Sequence, residues 1–150
     1  MIRGDSDEYE SLKKWCGTLP FFSEPKSVIT CEVGVREGLG SHMIMSTILS
    51  RFEKINYIHD AIDPYGDLEY KHFDGNPTWK HGDKWTSKAP TYSNEMRDQM
   101  VKDFATNPHF KFYNMTDIQY MNVFNLSKTI YDLVFLDGPH TTQAILREAL

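Results

Sequence analysis

The stretch Val28-Ile29-Thr30-Cys31-Glu32-Val33-Gly34-Val35-Arg36-Glu37-Gly38-Leu39-Gly40-Ser41 decides the fold. Val28 to Val35 is rich in β-branched and apolar side chains and reads as a buried strand. Gly34, Gly38 and Gly40 then let the backbone turn tightly and approach a neighbour or a ligand. From Ser41 to Phe52, Ile44, Met45, Ile48, Leu49 and Phe52 recur at helical spacing. Strand, glycine loop and helix follow one another directly, and the free N–H groups at such a helix start suit an anionic group. The spacing Gly34-x-x-x-Gly38-x-Gly40 is not the dinucleotide pattern G-x-G-x-x-G, and the loop has no P-loop lysine.

Working outward, residues 6 to 16 place Tyr9, Leu12, Trp15 and Cys16 on one helical stripe, acids first and bases last, with Gly17 as the expected stop. Downstream, strands are predicted at Tyr57 to Asp63, closed by Pro64, at Phe110 to Asn114 and at Tyr131 to Asp137. Ser93 is placed to cap a helix reaching Thr106, in which Met96, Met100, Val101 and Phe104 share a face. A short helical turn fits Ile118 to Leu126, and a last helix fits Ala144 to Leu150, opened by Thr141 or Thr142.

Residues 64 to 92 show no sustained period but carry Tyr65, Tyr70, Phe73, Trp79, Trp85 and Tyr92. So long a connection inside a domain is functional or disordered. It reads as a flap that buries its own aromatics, partly closes a pocket and offers rings to an acceptor. A metal clip through His72, Asp74, His81 and Asp83 is the weaker reading.

The 150 residues fit a single domain, 1–150, large enough to bury a core without disulfides. Charged residues make up 25% against 40% hydrophobic, which is not the balance of a disordered chain. The net charge of −5 argues against a nucleic-acid partner, because phosphate-backbone binding needs a cationic surface. No apolar run approaches membrane-spanning length and Met1 to Glu10 is polar and acidic, so the expectation is a soluble, cytoplasmic protein without membrane contacts. Cys16 and Cys31 make neither a disulfide framework nor a zinc site, and they read as buried free thiols.

Short apolar strands alternating with helices predict a parallel sheet covered by helices on both faces. Ligands in such sheets sit beyond the carboxyl ends of the strands, where strand order reverses. Those ends carry Glu32 with Gly34, then Asp63, then the turn from Asn114 to Asp117, then Asp137.

Taken together, Glu32-Val-Gly34-Val-Arg36-Glu37-Gly38-Leu-Gly40-Ser41, Ile62-Asp63 and Tyr131-Asp-Leu-Val-Phe-Leu-Asp137-Gly-Pro-His140 resemble the class I S-adenosylmethionine-dependent methyltransferases. The branch that the ending Asp-Gly-x-His is similar to includes small-molecule and sugar O-methyltransferases and the cephalosporin-hydroxylase-like group. The resemblance spans about residues 28 to 150. It implies a Rossmann-like parallel sheet with flanking helices, here in truncated or minimal form, and transfer of a methyl group to an oxygen or nitrogen of a small molecule or saccharide. It also implies S-adenosyl-L-methionine as cofactor. Glu32, Gly34, Gly38 and Ser41 would surround its methionine end, with Arg36 standing where many members have a glycine. Asp63 would accept from the ribose hydroxyls, Asp117 and Ile118 would lie by the adenine, and Asp137 by the sulfonium and the substrate.

Bland readings stand beside these. Glu32 and Asp63 also fit solvated strand-end acids, and Arg36 fits a partner for Glu37. His140 fits either a helix cap or, with Asp137, a catalytic pair, as general base for an acceptor hydroxyl or as one of two ligands to a divalent cation. Two ligands make a poor cation site, so no metal is assigned. The sequence stops before a fifth strand, which predicts an edge covered by self-association or by a missing C-terminal segment. The alternative function is a non-catalytic cofactor-binding half-domain that associates with a partner chain. A nucleotide-using transferase is disfavoured by the missing phosphate-loop motifs.

Overall fold

Helix α1 (Glu8–Thr18) precedes strand β1 (Ser27–Val33), and helix α2 (Leu39–Arg51) carries the chain back to strand β2 (Asn56–Ile62). An antiparallel hairpin, β3 (Trp79–His81) with β4 (Lys84–Thr86), comes before helix α3 (Asn94–Phe104). Strand β5 (Phe110–Tyr113), helix α4 (Asp117–Val123) and strand β6 (Leu133–Leu136) follow. The computed structural model describes residues 8–21, 25–66, 74–75, 78–81, 83–86, 92–124, 130–138, 141, 143–144 and 146. Among these residues no helix is long and apolar enough to cross a membrane.

The four strands β5-β2-β1-β6 form one sheet in that order, and all three pairings are parallel. This is the α/β, Rossmann-like arrangement expected from the sequence. The chain steps from β1 to β2 to β5 and returns to the other side of β1 for β6, so strand order reverses between β1 and β6. The register is level at the carboxyl edge: Val33 pairs with both Ile62 and Leu136, and Ile62 pairs with Tyr113. Gly34, Asp63, Asn114 and Asp137 therefore stand in one row.

Alternation along the strands sends successive side chains to opposite faces. On one face Val28, Tyr57 and Ala61 pack under Leu12 and Cys16 of α1, Ile44, Met45 and Ile48 of α2, and Met100 and Phe104 of α3. On the other, Cys31, Ile62 and Tyr120 make a smaller cluster with Val33, Tyr113, Phe124 and Tyr131. Both cysteines are free and buried, as expected.

Local chemistry explains where the elements begin and end. Ser93 Oγ accepts from the Met96 N–H at 3.1 Å, which caps α3 as predicted. Thr116 and Gln119 form a capping box that starts α4 at Asp117, one residue before the predicted turn. Helix α1 runs through its predicted stop at Gly17 to Thr18. Its end is held by side chains instead of a glycine turn: the Thr18 hydroxyl turns back to the Lys14 carbonyl at 3.1 Å, and Arg51 donates to the Cys16 carbonyl at 2.7 Å and to that of Leu19, just past the helix, at 2.8 Å. Strand β6 begins at Leu133, two residues later than read: just before it the Asp132 side chain accepts from the Ile29 N–H at 2.8 Å, and the Tyr131 hydroxyl donates to Asp60 at 3.0 Å.

The hairpin β3–β4 corrects the expectation that residues 64 to 92 lack regular structure. Trp85 is 68% exposed, whereas Tyr65 is buried. Tyr70, Phe73, His72 and the side chains of Trp79 and His81 lie outside the described residues. Of the last helix, Thr141 Oγ1 accepts from the Ala144 N–H at 3.2 Å, as an opening residue should, and most of the remainder lies outside them.

Candidate functional site

The loop after β1 holds Gly34 at φ +92°, Arg36 at +53° and Gly38 at +90°. A side chain at Gly34 would overlap the Asp137 carbonyl, so the glycine loop and the segment after β6 meet backbone to backbone. This is the close approach that requires glycine. A left-handed Arg36 costs about 1–2 kcal/mol. Asp63 offsets it: Oδ2 accepts from the N–H groups of Val35 at 2.8 Å and Arg36 at 3.0 Å, and Oδ1 accepts from Tyr65 at 3.1 Å. The Tyr65 hydroxyl donates in turn to the Arg36 carbonyl.

Asp63 is 1% exposed. Burial pushes its carboxyl up from the ordinary aspartate value, against the three amides, which favour the anion. The carboxylate faces the loop backbone from beneath. A ribose hydroxyl would reach it only by sharing or displacing these amides.

Glu32 and Ser41 are fully buried. Ser41 Oγ donates to Glu32 Oε2 below the loop, and the imidazole of His59 lies 3.0 Å from that hydroxyl. The structure thus brings Glu32 and Ser41 together through Oε2, and among the described residues Glu32 Oε1 has no hydrogen-bond partner. Gly38 is buried against Phe104 and Met100. Asp137 is half-buried directly after β6, its N–H donating to the Val33 carbonyl at 2.8 Å. Asp117 is half-buried in the first turn of α4, and Ile118 beside it is 44% exposed. With its amide nitrogen turned to its acceptors, Asn114 donates to the Pro64 carbonyl at 2.6 Å and ties the end of β5 to that of β2. The Arg36 guanidinium lies over the Tyr92 ring, 5.8 Å from its centroid. His140 lies outside the described residues.

Two layers result. Gly34, Arg36, Asp117, Ile118 and Asp137 remain accessible at the carboxyl edge, while Glu32, Ser41 and Asp63 hold the loop from below. Beside this edge a cleft of about 460 Å³ lies between Glu37 of the loop and α3, lined also by Ser93, Glu95, Met96, Gln99, Met100 and Asp103.

The sequence reading missed His59 and Tyr65. His59 shares the strand face of Tyr57 and Ala61, and a polar ring at an inward position of a buried strand was the available signal. Tyr65 gave none, because its role depends on a left-handed backbone at φ +45°. Comparisons with protein-family models, with curated proteins and with solved structures each gave no match.

Proposed function

We propose that the chain binds S-adenosylmethionine at the carboxyl edge of the sheet and transfers its methyl group to an oxygen or nitrogen of a small molecule or saccharide. The observation that carries this reading is the meeting of the left-handed glycine loop with the Asp137 backbone at the point where strand order reverses. A ligand bound there would touch the loop and Asp137 at once.

The group fits these residues in part. Gly34 and Arg36 would face its methionine end, and Ile118 offers an exposed apolar surface to a flat ring. Asp63, Glu32 and Ser41 would act by holding the loop. When bound, the cofactor supplies a methyl group already activated for transfer, so the protein contributes chiefly by alignment. Asp137 would be the carboxylate that orients or takes a proton from the acceptor.

Calorimetry with S-adenosylmethionine and with S-adenosylhomocysteine tests the reading. Binding of either should raise the melting temperature, and ligand at 100 times Kd should add about 2.7 kcal/mol of stability. Asp63→Ala should weaken binding by releasing the loop amides. Folded protein that gives no heat with either compound overturns the reading. The alternative, a non-catalytic binding half-domain, is favoured by apolar exposure around β6, where Ile130 is 85%, Val134 47% and Leu136 36% exposed. Binding without methyl transfer to any acceptor would support it.

A further inference from the structure

Beneath the glycine loop runs a buried chain of polar groups that no motif announced. Tyr57 OH lies 2.8 Å from Thr30 Oγ1, which lies 2.7 Å from His59 Nδ1; His59 Nε2 lies 3.0 Å from Ser41 Oγ, which donates to Glu32 Oε2. Tyr57 is 3% exposed and the other four are fully buried.

The proton positions follow from counting. A serine hydroxyl carries one hydrogen, and here it goes to Glu32 Oε2. Towards His59 the Ser41 oxygen must therefore accept, so Nε2 carries a hydrogen. In a neutral imidazole Nδ1 is then an acceptor, and the Thr30 hydroxyl donates to it. Thr30 Oγ1 is left to accept from Tyr57. Every hydroxyl in the chain is used in one direction, ending on the carboxylate.

We propose that His59, acting through Ser41 and Glu32, is a positioning residue for the glycine loop and works only in its neutral, Nε2-protonated form. A second proton would turn Nδ1 into a donor, so that the Thr30 hydroxyl loses the acceptor for its own hydrogen and must turn away from the ring. The imidazolium would also be drawn to Glu32 Oε2, 3.7 Å from Nε2, at the expense of Ser41. Ser41 sits in the first turn of α2, three residues after the Gly38 cap, so its release loosens the turn that holds the loop.

Few charged groups face the ring, and Glu32 Oε2 stands 3.7 Å from Nε2. From α1, the Cys16 thiol, pushed up to about 11 by burial, brings no charge near neutral pH. From β5, the Phe110 ring stacks on the imidazole at 6.2 Å, the His109 carbonyl accepts from the His59 backbone N–H at 2.8 Å, and the His109 ring, itself titratable, lies 3.0 Å by Nδ1 from the Tyr57 carbonyl. From α3 the Phe104 ring stands behind Phe110. Asp63 places a second carboxylate near Glu32, and Cys31 on the opposite face couples to Glu32 as a neutral thiol.

The relevance to ligand binding rests on the proposed cofactor reading, but the test needs no ligand. Imidazole nitrogen NMR between about pH 5 and 8, where histidines change charge, reports the His59 tautomer. Hydrogen exchange reports protection of the amides from 38 to 42 over the same range. At pH 8 His59 should be the Nε2–H tautomer, and protection should fall in step with uptake of the second ring proton. His59→Gln should remove this pH response. Ser41→Ala, a smaller change, should leave protection low throughout and provides the test if His59→Gln does not fold. An Nδ1–H tautomer at pH 8, wild-type protection that ignores pH, or an unchanged response in Ser41→Ala overturns the proposal. If these results hold and S-adenosylhomocysteine still fails to bind, the cofactor reading falls and the positioning role stands.

Discussion

Each face of the sheet buries a carboxylate, and the two are treated differently. Glu32, on the face covered by α1, α2 and α3, is wholly removed from water and ends a chain of five side chains. Asp60, on the other face, accepts at Oδ2 from Tyr120 OH at 3.1 Å and Tyr131 OH at 3.0 Å, the two hydroxyls lying 2.7 Å apart. Its cover is the short helix α4 and tyrosine rings, with Val134 and Leu136 left partly in solvent nearby. A thickly covered carboxylate can organise a loop because water does not compete for it. A thinly covered one with two phenolic donors serves to anchor a helix and the start of β6.

The largest expected effect follows from this contrast. Glu32→Ala strands Ser41 and His59 in a dry site and should cost about 3–5 kcal/mol, whereas Asp60→Asn, which keeps an acceptor for the tyrosines, should cost about 1–2 kcal/mol. Denaturant unfolding measures both, and equal costs would break the comparison. A smaller effect uses the thiol on each face. Burial pushes Cys16 up to about 11 and Cys31 up to about 12 from 9.0. The unfolded chain therefore ionises first as pH rises, so the stability these thiols contribute is full below pH 9 and is lost towards pH 11 to 12. Near neutral pH, Cys31 should react with a thiol reagent before Cys16, since opening the smaller cluster exposes it at lower cost. The reverse order in peptide mapping would mean that α4 holds more firmly than its contacts suggest. The smallest effect belongs to neither face. Trp85→Ala should shift stability by less than about 0.5 kcal/mol, because the ring is 68% exposed. A larger loss in the melting temperature would show that the hairpin packs on the domain.

How much of this the sequence disclosed depended on whether the signal was local. The strand–glycine–helix unit, the cap at Ser93 and the parallel order rest on periodicity and short motifs, and they were legible within one or two residues. The row Gly34, Asp63, Asn114 and Asp137 was legible too, because strand ends in a parallel sheet align. What was not legible is which way the acids face. Glu32 and Asp63 read as ligand contacts or as solvated ends, and they are not solvated: both turn inward, since Asp63 meets amides made available by the left-handed Arg36 and Glu32 meets a serine from the next helix. Such partners are set by backbone dihedrals and by residues distant in sequence, which no pattern within a single segment encodes.

The aromatic stack behind the loop has a mechanical consequence. Phe104 lies on Phe110 with centroids 4.2 Å apart, Phe110 lies on His59, and the first ring abuts Gly38, where an added side chain would meet it at 2.5 Å. The three rings form a strut from the cap of α2 back into the sheet. A methyl group at position 38 would load that strut along its length, pressing one flat face on the next until the thrust reached the imidazole, so a change outside the polar chain would be felt within it as pressure.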